Sequence, residues 1–270
     1  MSRLKELNLH SVSACGVVVG DEGCELFAKS PYLKQLTALN LGNNQIGNRG
    51  LNYLASSSIL TKLRSLELER NEFDREGVKV LVHGVNMVNL TVLNLSRNRL
   101  GDLGCVHVLS SPNMVNLKTL KLSEVGVENL SFSQPLLNLE ELVLDGNGIK
   151  KMECGDFLSN LKKLDLHSTS TCAFLSNCKL FQLQDLNLSQ NKLNEKDLEN
   201  LVETNSHWNK LTRLNLNENK FGDEGVVHLS NSSWMDGLKE LEMRGCGVDP
   251  LKCFEYHPRF AKLKVLKLYE

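Results

Sequence analysis

An eleven-residue frame, L-x-x-L-x-L-x-x-N-x-L, restricts what this chain can fold into more than any other feature. Its clearest copy is Leu90-Thr-Val-Leu-Asn-Leu-Ser-Arg-Asn-Arg-Leu100. The frame opens at Leu4, Leu36, Leu63, Leu90, Leu117, Leu139, Leu161, Leu183, Leu211, Leu238 and Leu263, giving eleven copies over 270 residues. In each copy the first, fourth and sixth positions point one way and the residues between them the other, the alternation of a short strand with one buried face. Such a strand cannot bury its apolar side alone. Neighbouring copies must therefore stack, strand beside strand, into a parallel sheet with one continuous core. Residues 1–270 are expected to form a single domain of eleven repeats.

The ninth position is Asn44, Asn71, Asn98, Asn147, Asn191 and Asn219 in six copies. Here the chain leaves the strand, and its backbone groups need partners. A buried amide both donates and accepts, so a ladder of such residues supplies them. Val125, Thr169 and Cys246 fill the slot in three other copies. Cys246 offers a weak donor, and Val125 offers none, so an interruption is expected at Val125.

Spacing divides the chain. Successive frames open 32, 27, 27, 27, 22, 22, 22, 28, 27 and 25 residues apart. This gives long repeats over 1–116, short repeats over 117–182, long repeats over 183–262 and a terminal strand at 263–270. Long copies carry a G-x-x-G element after the strand, as in Gly20-Asp-Glu-Gly23, Gly47-Asn-Arg-Gly50, Gly101-Asp-Leu-Gly104 and Gly222-Asp-Glu-Gly225. Apolar residues then recur at helical spacing, which predicts short helices on the side away from the strands. Asn194 is the predicted N-cap of one of them, with acids in its first turn. The 22-residue copies have no room for a helix, so 3₁₀ or extended chain is expected there. Extended segments are thinner than helices, which predicts a flatter middle between two more curved arms. The extra residues of the first copy, from His10 to Val18, predict a protruding loop.

The long copies resemble ribonuclease-inhibitor-type leucine-rich repeats, and the short ones are similar to the 22-residue intracellular type. The resemblance covers essentially the whole chain. It implies an α/β leucine-rich repeat solenoid, a curved horseshoe with the parallel sheet on its concave face and short helices or 3₁₀ and extended segments on its convex face. It also implies a non-enzymatic, cytoplasmic protein-binding module, an adaptor or an effector delivered into a host cytosol. A rival of another class is a GTPase-activating protein on a ribonuclease-inhibitor-like scaffold, which needs a residue such as Arg70 or Arg97 presented to nucleotide. A structural spacer of a larger protein is a third reading.

Composition narrows the partner. Thirty-one basic against 32 acidic residues leave a net charge of −1, which argues against nucleic acid. No apolar run reaches membrane-span length, and the N-terminus enters the first repeat without a signal-peptide core. No phosphate-binding, zinc-protease or nucleophile-elbow motif is present, and no cofactor is expected. The eight cysteines, Cys15, Cys24, Cys105, Cys154, Cys172, Cys178, Cys246 and Cys253, are scattered through the repeats, and several of them, such as Cys24 and Cys105, fill slots that sister copies fill with apolar residues. They are expected to be reduced and structural, with melting insensitive to reductant; a zinc site at Cys172, Cys178 and His167 lacks a second ligand pair with zinc spacing.

The outward strand positions form the expected partner-binding wall: Glu67, Glu69, Glu141, Val143, Asp145, Lys163, Asp165, His167 and Asp185. Glu141 to Asp185 fall on the short copies and the next strand, as a patch with Val143 at an apolar centre and charges around it. A divalent-metal reading of Asp145, Asp165, His167 and Asp185 is weaker, because strand-fixed carboxylates seldom converge on one ion. Trp208 and Trp234 precede successive strands and are expected to pack inside, with an exposed anchor as the sharper alternative. The aromatic stretch 253–260 is expected to wrap the penultimate repeat. Copy one starts at residue four and the last copy is a bare strand, so self-association through uncapped ends is expected.

Overall fold

The computed structural model describes residues 3–11, 18–170, 173–256 and 258–269, without the side chains of 254–256 and 258. The predicted first-copy loop lies mostly outside these residues, as do Cys15 and Cys172. The chain forms two compact units, residues 1–139 and 140–270.

In the first unit, strands β1 (Glu6–Asn8), β2 (Ala38–Asn40), β3 (Ser65–Glu67), β4 (Val92–Asn94) and β5 (Thr119–Lys121) pair in sequence order, all parallel and in register, Leu7 beside Leu39, Leu66, Leu93 and Leu120. From β2 to β5 the central leucine is buried. Helices α1 (Gly20–Lys29), α2 (Asn48–Ala55), α3 (Arg75–His83) and α4 (Gly101–Ser110) stack on the far side, and β6 (Asn129–Ser131) packs beside α4. In the second unit, β7 (Glu141–Val143), β9 (Lys163–Asp165), β10 (Asp185–Asn187), β11 (Arg213–Asn215), β12 (Glu240–Glu242) and β13 (Val265–Lys267) make the parallel ladder. β8 (Lys151–Glu153) and a 3₁₀ turn, Ala173–Asn177, take the helix position in its short copies; α5 (Glu195–Thr204), α6 (Gly222–Asn231) and α7 (Pro250–Tyr256) take it afterwards. Helices thus appear where the spacing has room for them and are replaced by thinner segments where it has not.

The asparagine ladder forms. The Asn71 amide donates to the carbonyls of Leu41 and Leu68, while its Oδ1 accepts from the Asn44 and Ile46 backbone N–H groups. Asn98 repeats this one step on, and Asn147 donates to Leu144. Thr169 keeps the ladder running through its hydroxyl to the Leu166 carbonyl, and the Cys246 thiol donates to Leu216 at 3.0 Å. Val125 sits buried in the slot with an aliphatic side chain. The residue just before the ladder position adopts a left-handed backbone: φ is 58° at Asn43, 53° at Arg70, 58° at Arg97 and 58° at Glu218. Each such non-glycine residue carries a cost of order 1 kcal/mol, which the ladder's hydrogen bonds offset.

The G-x-x-G element has two separate jobs. The first glycine is left-handed at Gly20, Gly101 and Gly222. The second is there for closeness. At the equivalent place in Asp74-Arg-Glu-Gly77, where only the second glycine is kept, a Cβ on Gly77 would run into Asn48 Oδ1 and lie 3.0 Å from Asn48 Cα on the neighbouring helix. The acid or amide after the first glycine clamps the next repeat: Asp21 accepts from the Gly47 and Gly50 N–H groups, and Asp102 from those of Glu128 and Asn129. Asn48 and Asp74 exchange two hydrogen bonds in the same place, so Asn48 is not free to move aside. Gly77→Ala should therefore destabilise by about 1–3 kcal/mol through overpacking, although alanine is the better helix former by about 1 kcal/mol. Denaturant titration measures this; a stabilised variant would refute the close-packing role.

The expectation of wholly reduced cysteines is corrected. Cys24, Cys105, Cys246 and Cys253 are free and buried, and burial pushes the thiols of Cys24 and Cys105 up to about 12. Cys154 and Cys178, however, form a disulfide with a Cα–Cα separation of 5.4 Å, inside the range that such a bond requires. Reading each cysteine as a filler of its own repeat overlooked that the 22-residue period sets these two side by side on adjacent copies. The expected insensitivity to reductant falls with it. So does the cysteine argument for a reducing compartment, since disulfides persist mainly where conditions are oxidising. Among the described residues, no helix is long and apolar enough to cross a membrane.

Candidate functional site

Strand alternation leaves one sheet face of the second unit open, because the central leucines of β7, β9, β10, β11 and β12 (Leu142, Leu164, Leu186, Leu214 and Leu241) turn inward and are buried. The residues before those leucines form a row in register: Glu141, Lys163, Asp185, Arg213 and Glu240, charges of alternating sign. The row after them runs Val143, Asp165, Asn187, Asn215, Glu242 and Lys267. Towards β13 the charges are spoken for. Arg213 pairs with Asp185 at 3.2 Å and Glu240 at 2.8 Å, and Lys267 with Glu242 at 2.6 Å. These are largely exposed pairs, each worth about 0–1 kcal/mol; their consequence is to neutralise that part of the face.

The β7–β10 part differs. Glu141, Val143, Lys163, Asp165, Asp185 and Asn187 surround a dimple of about 160 Å³. Five of the seven patch residues named from sequence thus come together at one place. Lys163 and Asp165 make no ion pair among the described residues. Burial pushes the Asp165 carboxyl above its ordinary range and the neighbouring Asp145 carboxylate adds to this, against hydrogen bonds from the His167 backbone N–H and the Asn187 side chain. Beside it, His167 Nδ1 lies 2.8 Å from Ser189 Oγ, which donates to Asn187 Oδ1 at 2.7 Å. That chain assigns the Nδ1–H tautomer and leaves His167 Nε2 as the outward atom. Among the described residues no group of acids, histidines and cysteines has the arrangement of a metal site.

Glu67 and Glu69 lie in the other unit, on and just after β3. Glu69 accepts from Asn94 Nδ2 at 3.0 Å. Of the two rim arginines, Arg97 is held by Glu124 at 2.8 Å. Trp208 and Trp234 are buried, their rings 6.1 Å apart, so the packing expectation holds and neither is a surface anchor. In the 253–260 stretch, expected to wrap the penultimate repeat, Cys253 and Phe260 are buried, and Arg259 donates to the carbonyls of Ser230 and Ser232 at the end of α6, in the repeat before it; the side chains of 254–258 lie outside the described residues. A second asparagine column escaped the sequence reading. Asn89, Asn116 and Asn138 each donate to a carbonyl of the preceding repeat, those of Thr61, Val88 and Val115. Its signal is an Asn directly before the opening Leu of four successive frames, Leu90, Leu117, Leu139 and Leu161.

The Leucine Rich repeat family matches residues 33–55, 60–82, 86–107 and 208–230, each a strand with the helix that follows it. No curated protein matches the sequence. Among solved structures, the chain is similar to the crystal structure of an internalin C2 from Listeria monocytogenes, at 21% identity and a TM-score of 0.52, over 88% of this chain and 82% of that one. At that identity the likeness shows the fold. Repeats, ladder and fold together define the class: this chain is a leucine-rich repeat protein.

Proposed function

We propose that this chain is a protein-recognition module, a role that the repeat family supports in general terms, and that its partner lands on the open sheet face of the second unit at the dimple between β7 and β10. The observation that carries this reading is the contrast along one face. Arg213, Glu240, Glu242 and Lys267 toward β13 are held in ion pairs, whereas among the described residues Lys163 and Asp165 make none around an apolar Val143. A rigid sheet presents them without the ordering cost that flexible loops incur on binding. Asp165, partly desolvated, gains most from a partner cation.

The test begins with cross-linking to identify the partner, followed by titration against Asp145→Lys/Asp165→Lys. Affinity should fall by about tenfold or more with the fold retained, because both half-buried side chains stand on the open face and not in the core. Binding should also weaken with acidification at a pH above the ordinary aspartate value of 3.8, since the raised carboxyl gains its proton early. The sign for stability is opposite: the folded chain holds this proton more tightly than the unfolded one, so Asp165's contribution to stability falls as pH rises through its folded value. Unchanged affinity in the double variant would place the partner elsewhere.

A further inference from the structure

We infer that Arg244 is the anchor for a carboxylate side chain, Asp or Glu, of the protein partner. Arg244 follows β12 and stands on the same open face. Its Nε is buried and unpartnered, and its guanidinium makes no hydrogen bond or ion pair among the described residues. Glu242, on the same face, feels its charge but makes no hydrogen bond to it. Glu242 accepts from Lys267 Nζ on Oε1 at 2.6 Å and from Asn217 Nδ2 on Oε2 at 3.0 Å, so both its oxygens are engaged. Asn217 Oδ1 in turn accepts the Arg244 backbone N–H at 2.8 Å. These bonds leave the guanidinium without a hydrogen-bond acceptor among the described residues.

An arginine in that state is costly: a partly buried cation with an unmet donor is stabilised only when an acceptor arrives. The planar fork matches a carboxylate with two parallel N–H donors, a match that lysine cannot reproduce. Room exists for it. Arg244, Pro250, Lys267 and Tyr269 are among the residues that line an open hollow of about 390 Å³. Asp165 and Arg244 lie three strands apart on one face, roughly 14 Å at the spacing of paired strands. The partner segment therefore carries a base and an acid about that far apart, about four residues in extended chain. The inference rests on the recognition reading only for the source of the carboxylate, and its test uses the isolated protein, so each can fail alone.

The probe is N-acetylglutamate methylamide, with the neutral glutamine analogue and inorganic phosphate as parallel arms. The readout is the arginine Nε–H resonances at constant ionic strength, that of Arg244 assigned by its loss in Arg244→Lys. The Arg244 signal should move saturably with the glutamate compound, with a midpoint on the order of 10 mM, and not with the glutamine analogue. Phosphate binding without glutamate binding would overturn the carboxylate assignment, as would an Arg244 signal that moves no more than that of Arg64, an exposed arginine just before β3 in the other unit. Arg244→Leu separates anchor from strut: its melting temperature should be equal or higher, because it removes an unmet charge. A clear loss of stability in Arg244→Leu would make the residue structural and overturn the inference.

Discussion

Asn219→Ala should destabilise the protein by about 4 kcal/mol. Asn219 is fully buried. Its amide donates to Leu188 and Leu216, and its Oδ1 accepts from the Asn191 and Leu193 N–H groups. Alanine removes four hydrogen bonds of roughly 1 kcal/mol each, and the backbone groups left behind have no water to turn to. A domain of ordinary stability has only about 5–15 kcal/mol in hand, so the variant should unfold at markedly lower denaturant. Cys246→Ala is the internal control. The thiol fills the equivalent slot with a single weak donor, and its loss should cost about 1 kcal/mol. Equal effects from the two variants would show that the slot needs volume rather than an amide.

The comparison of those two slots also shows what was legible in the sequence. Asn219 could be placed because a buried strand exit demands an amide, and the demand returns at a fixed interval. The helical or helix-less character of each repeat was readable for a similar reason, since a 22-residue copy cannot hold a strand, two turns and a helix. Even the cap was readable: Asn194 forms a reciprocal capping box with Asp197. What escaped depends on contacts between copies. The left-handed residue before each ladder position is Asn, Arg, Glu, Ser, Gln or, before Asn147 and Cys246, Gly, so no single residue type marks it. Asp21 looks like a helix-start acid, yet its carboxylate serves the next repeat's backbone. Cys154 and Cys178 looked like two separate fillers.

The candidate site divides along the same line. The patch from Glu141 to Asp185 was readable because strand register is a matter of counting, and counting places Val143 beside Asp165. Which charges are paired was not. Asp185 counted as one acid among four until Arg213 was found across the ladder, and Arg244 gave no sign of being unpaired. That distinction needs side-chain geometry, in which the two oxygens of Glu242 are taken by Lys267 and Asn217 before Arg244 can reach them.

Trp208→Ala should cost about 3–5 kcal/mol, the range for emptying a large aromatic site in a packed core. Its ring lies between two others, 6.4 Å from His207 and 6.1 Å from Trp234, with His207 itself 5.2 Å from the half-exposed Phe181. This row fills the space ahead of β11 and β12, where apolar contact area supplies the stabilisation. Neither indole N–H meets an acceptor among the described residues, and that sets the second half of the expectation. Trp208→Phe loses ring volume worth about 1–2 kcal/mol but also removes an unmet buried donor worth about 1–3 kcal/mol, so it should be close to neutral. Because Trp208 and Trp234 touch, the double alanine variant should fall short of the sum of the singles. A Trp208→Phe variant as damaged as Trp208→Ala would mean that the indole N–H has a partner after all, and the row would then be held by hydrogen bonding as well as by packing.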